Sequence, residues 1–237
     1  MSRPLLAVLL VLAAPAFALA DEPRIYLSWG APHGLPGAST SLTRTCGDTT
    51  RVDTLFLSFD PGKDTTLVGA TTTLWFRALS GDSLGPLWWS PGGLSAPRGM
   101  KFEFANTPVP GHPFPWESYG IGDFGYTRPG RTVGQVRFLF AVASTHPAHV
   151  QGGKIYGLAR LLLQRPPASA PGCDQSVCVE WAEATLAFAP GREPHITEGV
   201  TYAGINATGG ERGCGVPTSS VSASGTGKPK SKKSKKP

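Results

Sequence analysis

The residues that could do chemistry fall into a few short patterns. Gly81-Asp82-Ser83-Leu84-Gly85 satisfies both G-x-S-x-G and the GDSL block of a class of secreted esterases. Such chemistry needs Ser83 on a strand-to-helix elbow with a histidine placed as base. Here Pro86-Leu87-Trp88-Trp89-Ser90-Pro91 follows, a poor helix start, and no terminal D-x-x-H block occurs. His195 and Asp174 are the partners such a triad would draw on, and nothing in the sequence brings them together. A polar turn is therefore the main reading of this block, with ester hydrolysis through Ser83 as an alternative.

Three further patterns point to binding without specifying it. Gly120-Ile121-Gly122-Asp123-Phe124-Gly125 fits G-x-G-x-x-G, but no buried strand precedes it and a Pro-Gly turn follows, so the glycines are expected to serve loop geometry. His146 and His149 place two imidazoles close together in what reads as a polar loop, where metal binding needs a third ligand from elsewhere. Asp60 and Asp64, in FDPGKD, have calcium-type oxygens, but Asp-Pro-Gly is first a turn signal after a strand. No metal and no cofactor is called for. Asn206-Ala207-Thr208 is a glycosylation sequon only in a host that uses one.

Four cysteines, Cys46, Cys173, Cys178 and Cys214, suit two disulfides in an exported chain, and four cysteines allow three connectivities. The spacing favours a small Cys173–Cys178 loop, leaving Cys46 and Cys214 to join the start and end of the domain. A zinc site is a poor match, since C-x4-C has no partner pair at finger spacing.

The elements that must hold these residues are strands. Gly and Pro fill 53 of 237 positions, hydrophobic residues are 40% and charged residues 16%, which excludes a disordered chain and a helical bundle alike. Apolar runs rich in Val, Ile, Thr and aromatics recur between turn clusters: 25–29, 54–60, 67–77, 101–104, 133–142, 154–164, 177–188 and 196–202. In TLFLSFD, Leu55, Leu57 and Phe59 share one face; Val136, Phe138 and Phe140 oppose Gln135 and Arg137. Ile155, Leu158 and Leu162 also fit helical spacing, and EWAEATLAFA has helix propensity, yet both are read as strands. The expectation is one all-β sandwich over 21–216, jelly-roll-like, with a long irregular insertion at 79–131.

That insertion holds nine of the 22 aromatics, among them Trp88, Trp89, Trp116, Tyr119 and Tyr126. Aromatic faces stack on sugar rings or fill a partner's pockets at small entropic cost, and these five are the candidate binding residues. Packing the insertion against the sandwich is the competing role for them.

The termini speak of export and charge. Arg3, the apolar stretch Leu5–Ala14 and Ala18-Leu19-Ala20 read as a signal peptide over 1–20, so the mature protein is expected to start at Asp21, secreted or periplasmic. No later apolar run is long enough to span a bilayer. Six of the 22 basic residues lie in the last ten positions, leaving 15 basic against 16 acidic residues over 21–227. The Ser- and Lys-rich segment 217–237 is expected to be a disordered tail able to hold an anionic envelope polymer by salt-sensitive attraction. Specific nucleic-acid binding and nuclear targeting do not fit an exported chain.

Four pieces, TLFLSFDPG at 54–62, GQVRFLFAV at 134–142, GGKIYGLARLLLQ at 152–164 and VEWAEATLAF at 179–188, fall in the order and rough spacing of cohesin-like domains, which the chain resembles over roughly 45 residues. The resemblance implies a jelly-roll sandwich that binds an extracellular protein or polysaccharide without catalysis. The chain departs from the family in its SLTRTCGDTTRVDT opening, its insertion, its basic tail and its lack of dockerin-type repeats, so the resemblance carries over a fold and no particular partner. The reading is a secreted binding or adhesion module. A Ser83 hydrolase and a structural envelope protein held by its tail are the alternatives.

Overall fold

The computed structural model describes residues 22–79, 84, 100–104, 111–115, 120–127, 135–196, 199–207 and 214. Residues 1–20, read above as a signal peptide, Ser83, Trp88, Trp89, Trp116, Tyr119 and the segment 217–237 lie outside the described residues.

Two sheets face each other. The smaller joins β1 (Arg24–Trp29), β3 (Val52–Asp60), β8 (Tyr156–Gln164) and β5 (Met100–Glu103) in antiparallel pairs, with β11 (Gly199–Val200) parallel on the free side of β1. The larger runs β2 (Ser41–Leu42), β12 (Tyr202–Ile205), β9 (Val177–Ala189), β4 (Thr65–Ala78), β7 (Gln135–Val150), β6 (Gly120–Thr127), and β10 (His195–Ile196) pairs with β9. The all-β sandwich expected from period-two alternation is what the chain forms. EWAEATLAFA and most of the 154–164 segment are strands, buried on one face with period two: Ala159, Leu161 and Leu163 point to the core, as do Val179 and Trp181 and, past a register shift, Ala184, Leu186 and Phe188.

The core lies between the sheets. Leu55, Leu57 and Phe59 of β3, Leu74 and Phe76 of β4 and Trp181 of β9 are all but fully buried, at roughly 1.5–3 kcal/mol for each apolar side chain so placed. Trp181 keeps its indole N–H satisfied by Thr72 Oγ1 and the carbonyl of Glu183, so a large polar-tipped side chain sits in the core without an orphaned donor.

One end of the sandwich is closed by charge. Asp53 of β3 receives Arg165 Nε–H at 3.0 Å and Nη2–H at 2.8 Å, and Arg44 Nε lies 3.4 Å from its other oxygen. The side chains of Arg44 and Asp53 are 1% and 5% exposed. Burial lowers the Arg44 pKa, Asp53 opposes that, and the neighbouring Arg165 charge adds to it.

The disulfides correct the sequence reading. Cys46 joins Cys173 and Cys178 joins Cys214, so neither the Cys173–Cys178 loop nor the Cys46–Cys214 link is present. Cys173 lies in the turn before β9, next to the Arg44 corner, whereas Cys178 is the second residue of β9 and is held in the ladder by Arg77 on one side and Gly204 on the other. Strand geometry separates two cysteines that are close in sequence.

Three other expectations also change. The insertion is not irregular throughout, since β6 lies within it and pairs with β7. Gly120–Gly125 is therefore in a strand and not a loop. His146 and His149, expected in a polar loop, are in β7, which extends beyond Val142 through a bulge: Leu67 pairs with Ala148 and Gly69 with Ala143, so 144–147 stand opposite Val68 alone. Pro147, which cannot donate to a ladder, falls in that bulge. The 196–202 run is divided among β10, β11 and β12.

Candidate functional site

The outer face of the larger sheet is where the described residues offer a surface. Ladder register places side chains there in rows across β9, β4 and β7. Ala187, Gly69 and Ala143 form one row, Thr185, Thr71 and Ala141 the next, then Glu183, Thr73 and Leu139, then Glu180, Trp75 and Arg137. The first two rows contain nothing larger than threonine. Together with Val68 and Glu193 they shape an open, largely apolar depression of about 530 Å³.

Its floor depends on Gly69. A Cβ there would stand 3.0 Å from the carbonyl oxygen of Val142 and 3.7 Å from Ala143 Cβ, so glycine lets β4 and β7 close without a side chain in the hollow. Beyond the hollow the surface rises. Leu139 is 50% exposed, and Arg137 lies 5.9 Å over the Trp75 ring while donating to Thr73 Oγ1 at 3.2 Å and facing Glu183 at 3.8 Å. At the far end Arg77 pairs with Glu180, which also accepts from Tyr202 O–H at 3.0 Å. Burial and then that bond to Glu180 raise the Tyr202 pKa. The charges at this end are thus paired within the molecule, and the small-residue end is apolar.

The opposite face of the molecule is covered. On the smaller sheet the row Tyr26, Ser58, Gly157 carries three rings: His33 stacks on Tyr26 with centroids 4.2 Å apart, His112 Nε2 lies 3.3 Å from Ser58 Oγ, and Phe114 sits against Gly157. Ser58 and His112, 54 positions apart, form a serine–histidine pair that no local spacing could announce. Both are buried, and among the described residues no carboxylate hydrogen-bonds the imidazole, so Ser58 presents no nucleophile to a substrate. Burial pushes the His112 pKa down to about 4 and lowers that of His33, while burial and then Asp60 raise that of Tyr26.

The residues singled out from sequence are dispersed. Asp174 precedes the first residue of β9 and His195 pairs with Thr185, so most of a strand length, about 25 Å at ~3.3 Å per residue, separates the two triad candidates. Tyr126 is in β6, at the position opposite Phe138. His146 and His149 are exposed, and no group of three or more potential metal ligands occurs among the described residues. Asp60 Oδ1 accepts the N–H groups of Gly62 and Gly153, and Asp64 Oδ1 that of Gly152, so these carboxylates tie two turns together, as the turn reading expects. Asn206 is turned inward, at φ +52°, with Oδ1 accepting the Arg44 N–H at 2.7 Å.

Comparison with solved structures brings three relatives in shape. Two of them are cohesin modules. One, from a Clostridium perfringens family 33 glycoside hydrolase, aligns at 12% identity and a TM-score of 0.35, covering 79% of this chain and 97% of that one. The other, the sixth cohesin of Acetivibrio cellulolyticus scaffoldin B, was solved in complex with a Cel5 dockerin mutant and aligns at 10% identity and 0.38, covering 78% and 98%. The third is a Nocardia farcinica protein with an immunoglobulin-like fold, at 13% identity and 0.21, covering 66% and 83%. Two of the three are thus cohesin modules, the family that the four strands in the sequence resemble, and nothing beyond that likeness is taken from them. No protein-family model and no curated protein matches the chain.

The hollow was not foreseen from sequence. Its only linear signal is the weak apolar alternation of small residues in LVGATTT, AVAS and TLAFA, which reads equally well as ordinary strand.

Proposed function

We propose that the protein is an exported, non-catalytic module that binds a partner protein on the outer face of its larger sheet. The observation that carries this is the depression floored by Gly69, Thr71, Ala141, Ala143, Thr185 and Ala187 beside the half-exposed Leu139. A floor of Cα and Cβ atoms accepts the apolar side chains of another protein, which gain buried area there without displacing a side chain already in place. A polysaccharide is a poorer fit, because sugars need aromatic platforms and convergent polar groups, and the hollow supplies neither. Trp75 and Leu139 form its raised margin, in the pattern of an apolar centre with a polar rim made by Arg137, Glu183 and Glu193. Trp88, Trp89, Trp116 and Tyr119 are proposed as additional partner contacts from the insertion.

The test is retention of a partner by residues 21–237 from the source organism's secreted and envelope fractions, read by mass spectrometry and then by titration with the purified partner. Thr71→Arg and Ala141→Arg place a long charged side chain in the hollow from exposed positions and should weaken binding at least about tenfold with the fold intact. Unchanged binding in both variants, with loss in Trp88→Ala/Trp89→Ala, would move the interface to the insertion. Retention that needs 228–237 and vanishes at moderate salt would leave an electrostatic envelope protein. Turnover of a small ester that Ser83→Ala abolishes would replace the binding reading with a hydrolase.

A further inference from the structure

The covered face of the smaller sheet has a construction that the binding reading does not use. Residues 111–115 are the described stretch, beyond Phe104, of the connection between β5, at the edge of the smaller sheet, and β6, at the edge of the larger. Three contacts hold this strap down. Gly157 N–H donates to the Pro113 carbonyl at 2.9 Å. Phe114 is 5% exposed and occupies the space where a Gly157 Cβ would stand, within 2.4 Å of its ring carbons, so the strap seats only because residue 157 is glycine. His112 is 2% exposed, edge-on to the Phe114 ring at 5.8 Å, with Ser58 Oγ as its hydrogen-bond partner.

We propose that this strap is an acid-released latch: protonating His112 lifts 111–115 off the smaller sheet, while the sandwich beneath stays folded. The physical ground is the imidazole's setting. As a neutral ring it needs one polar contact, which Ser58 gives it. As an imidazolium it must shed its water among Ser58, Phe114 and the sheet, where among the described residues no carboxylate contacts the ring to compensate the charge. The charged and titratable groups on the surrounding elements are Arg24 and Tyr26 of β1, His33 of the 30–40 loop, Asp60 at the end of β3, Lys154 just before β8 and, one row along the same face, Arg160 of β8, which is paired with Glu103 of β5 at 2.6 Å. None is in ion-pair or hydrogen-bond contact with His112; Asp60 Oδ1 accepts from Gly62 and Gly153, Lys154 lies over the Tyr156 ring, and His33 stacks on Tyr26. Desolvation alone depresses the His112 pKa, and desolvation also depresses that of His33. Lifting the strap returns the imidazolium to water at the expense of one backbone hydrogen bond and the Phe114 contact, whereas the core residues Leu55, Leu57 and Phe59 lie on the other side of β3 and are not involved.

The sign follows from linkage. The closed strap binds the proton with a pKa of about 4 and the open one with the ordinary 6.5, so closure is fully favoured above 6.5 and weakens as pH falls toward 4. The opening equilibrium should rise about 20-fold between pH 7 and pH 5, and by roughly a hundredfold at pH 4. The experiment is amide hydrogen exchange by NMR on the mature chain, with each rate divided by the intrinsic rate at the same pH. The Gly157 amide, bonded to the strap, should lose protection by about 20-fold from pH 7 to pH 5, while the Leu57 amide in β3 keeps its own. His112→Gln retains a polar partner for Ser58 but cannot titrate, and its Gly157 protection should change less than about threefold over that range. Direct titration of the wild-type His112 ring should give a midpoint above the closed-strap value of about 4 and below the open-strap 6.5, which tests the idea even if the variant misfolds. The proposal is overturned by a midpoint near 6.5, by equal loss at Gly157 in wild type and His112→Gln, by unchanged Gly157 protection in the wild type, or by loss that occurs only together with Leu57.

Discussion

Replacing Asp53 by alanine should be among the most damaging single changes in the sandwich, and its size follows from the geometry. Asp53 is the carboxylate that both Arg44 and Arg165 touch, and the two guanidiniums stay behind with side chains 1% and 11% exposed. A buried ion pair adds little compared with an apolar replacement of the whole group, but removing one partner strands charge in a medium that solvates it poorly, at about 3–5 kcal/mol. For a domain of this size 1 kcal/mol corresponds to about 2–4 °C, so Asp53→Ala should lower Tm by roughly 6–20 °C. Asp53→Asn, which keeps an oxygen acceptor for Arg165 but no charge, should lose less. The assay is urea unfolding followed by tryptophan fluorescence, with the m-value checked for constancy. A cycle with Arg44→Met adds a second reading: the cost of Asp53→Ala should fall in that background by more than about 1 kcal/mol, because one of the two stranded cations is gone. A cost below about 1 kcal/mol for Asp53→Ala, with m unchanged, refutes the idea that this corner depends on charge compensation.

Other consequences can be checked with modest effort. Peptide mapping without reduction should recover Cys46 linked to Cys173 and Cys178 linked to Cys214; a Cys173–Cys178 loop peptide would contradict the fold's closure. Replacing Cys46 and Cys173 by serine should cost more than replacing the other pair, about 5 against 4 kcal/mol in the chain-entropy limit, since they close 127 residues against 36. Thr71→Arg and Ala141→Arg, at exposed positions of the outer face, should leave the urea midpoint within about 0.5 kcal/mol of wild type while they block a partner; a large loss of stability would mean that the hollow is part of the core. Gly157→Ala should displace Phe114 at neutral pH and expose 111–115 to a protease that cleaves the wild type there only in acid, and resistance of the variant would show that the ring can seat elsewhere.

How much of this was legible in the sequence differs by element. Where an apolar alternation belongs to one strand and one buried face, local pattern was enough. TLFLSFD gave Leu55, Leu57 and Phe59 to the core because a strand has period two and only one side of it is dry. The same logic found β1, β4, β8 and β9. It failed on β6, because GIGDFGYT has glycine where alternation would show, and on the second half of β7, where Pro147 and a bulge interrupt a strand whose partner β4 carries it through. Those segments are strands because a neighbour supplies their hydrogen bonds, and a neighbour's position is not encoded locally.

The site shows the same division more sharply. From composition and spacing alone came an all-β architecture, two disulfides and a charge imbalance confined to the end of the chain. Which cysteines meet was left to the fold, since adjacency along a strand points side chains where the ladder requires and not toward the nearest thiol. Gly69, Ala141 and Thr185 are unremarkable residues in three separate segments, and only the register of β4 against β7 and β9 assembles them into a hollow. Ser58, His112 and Gly157 likewise become a latch only when two strands and a connection stack within hydrogen-bond reach. Periodicity is a local property and survives in the sequence. Surfaces and buried polar pairs are relations between distant segments, and the tertiary structure alone sets them.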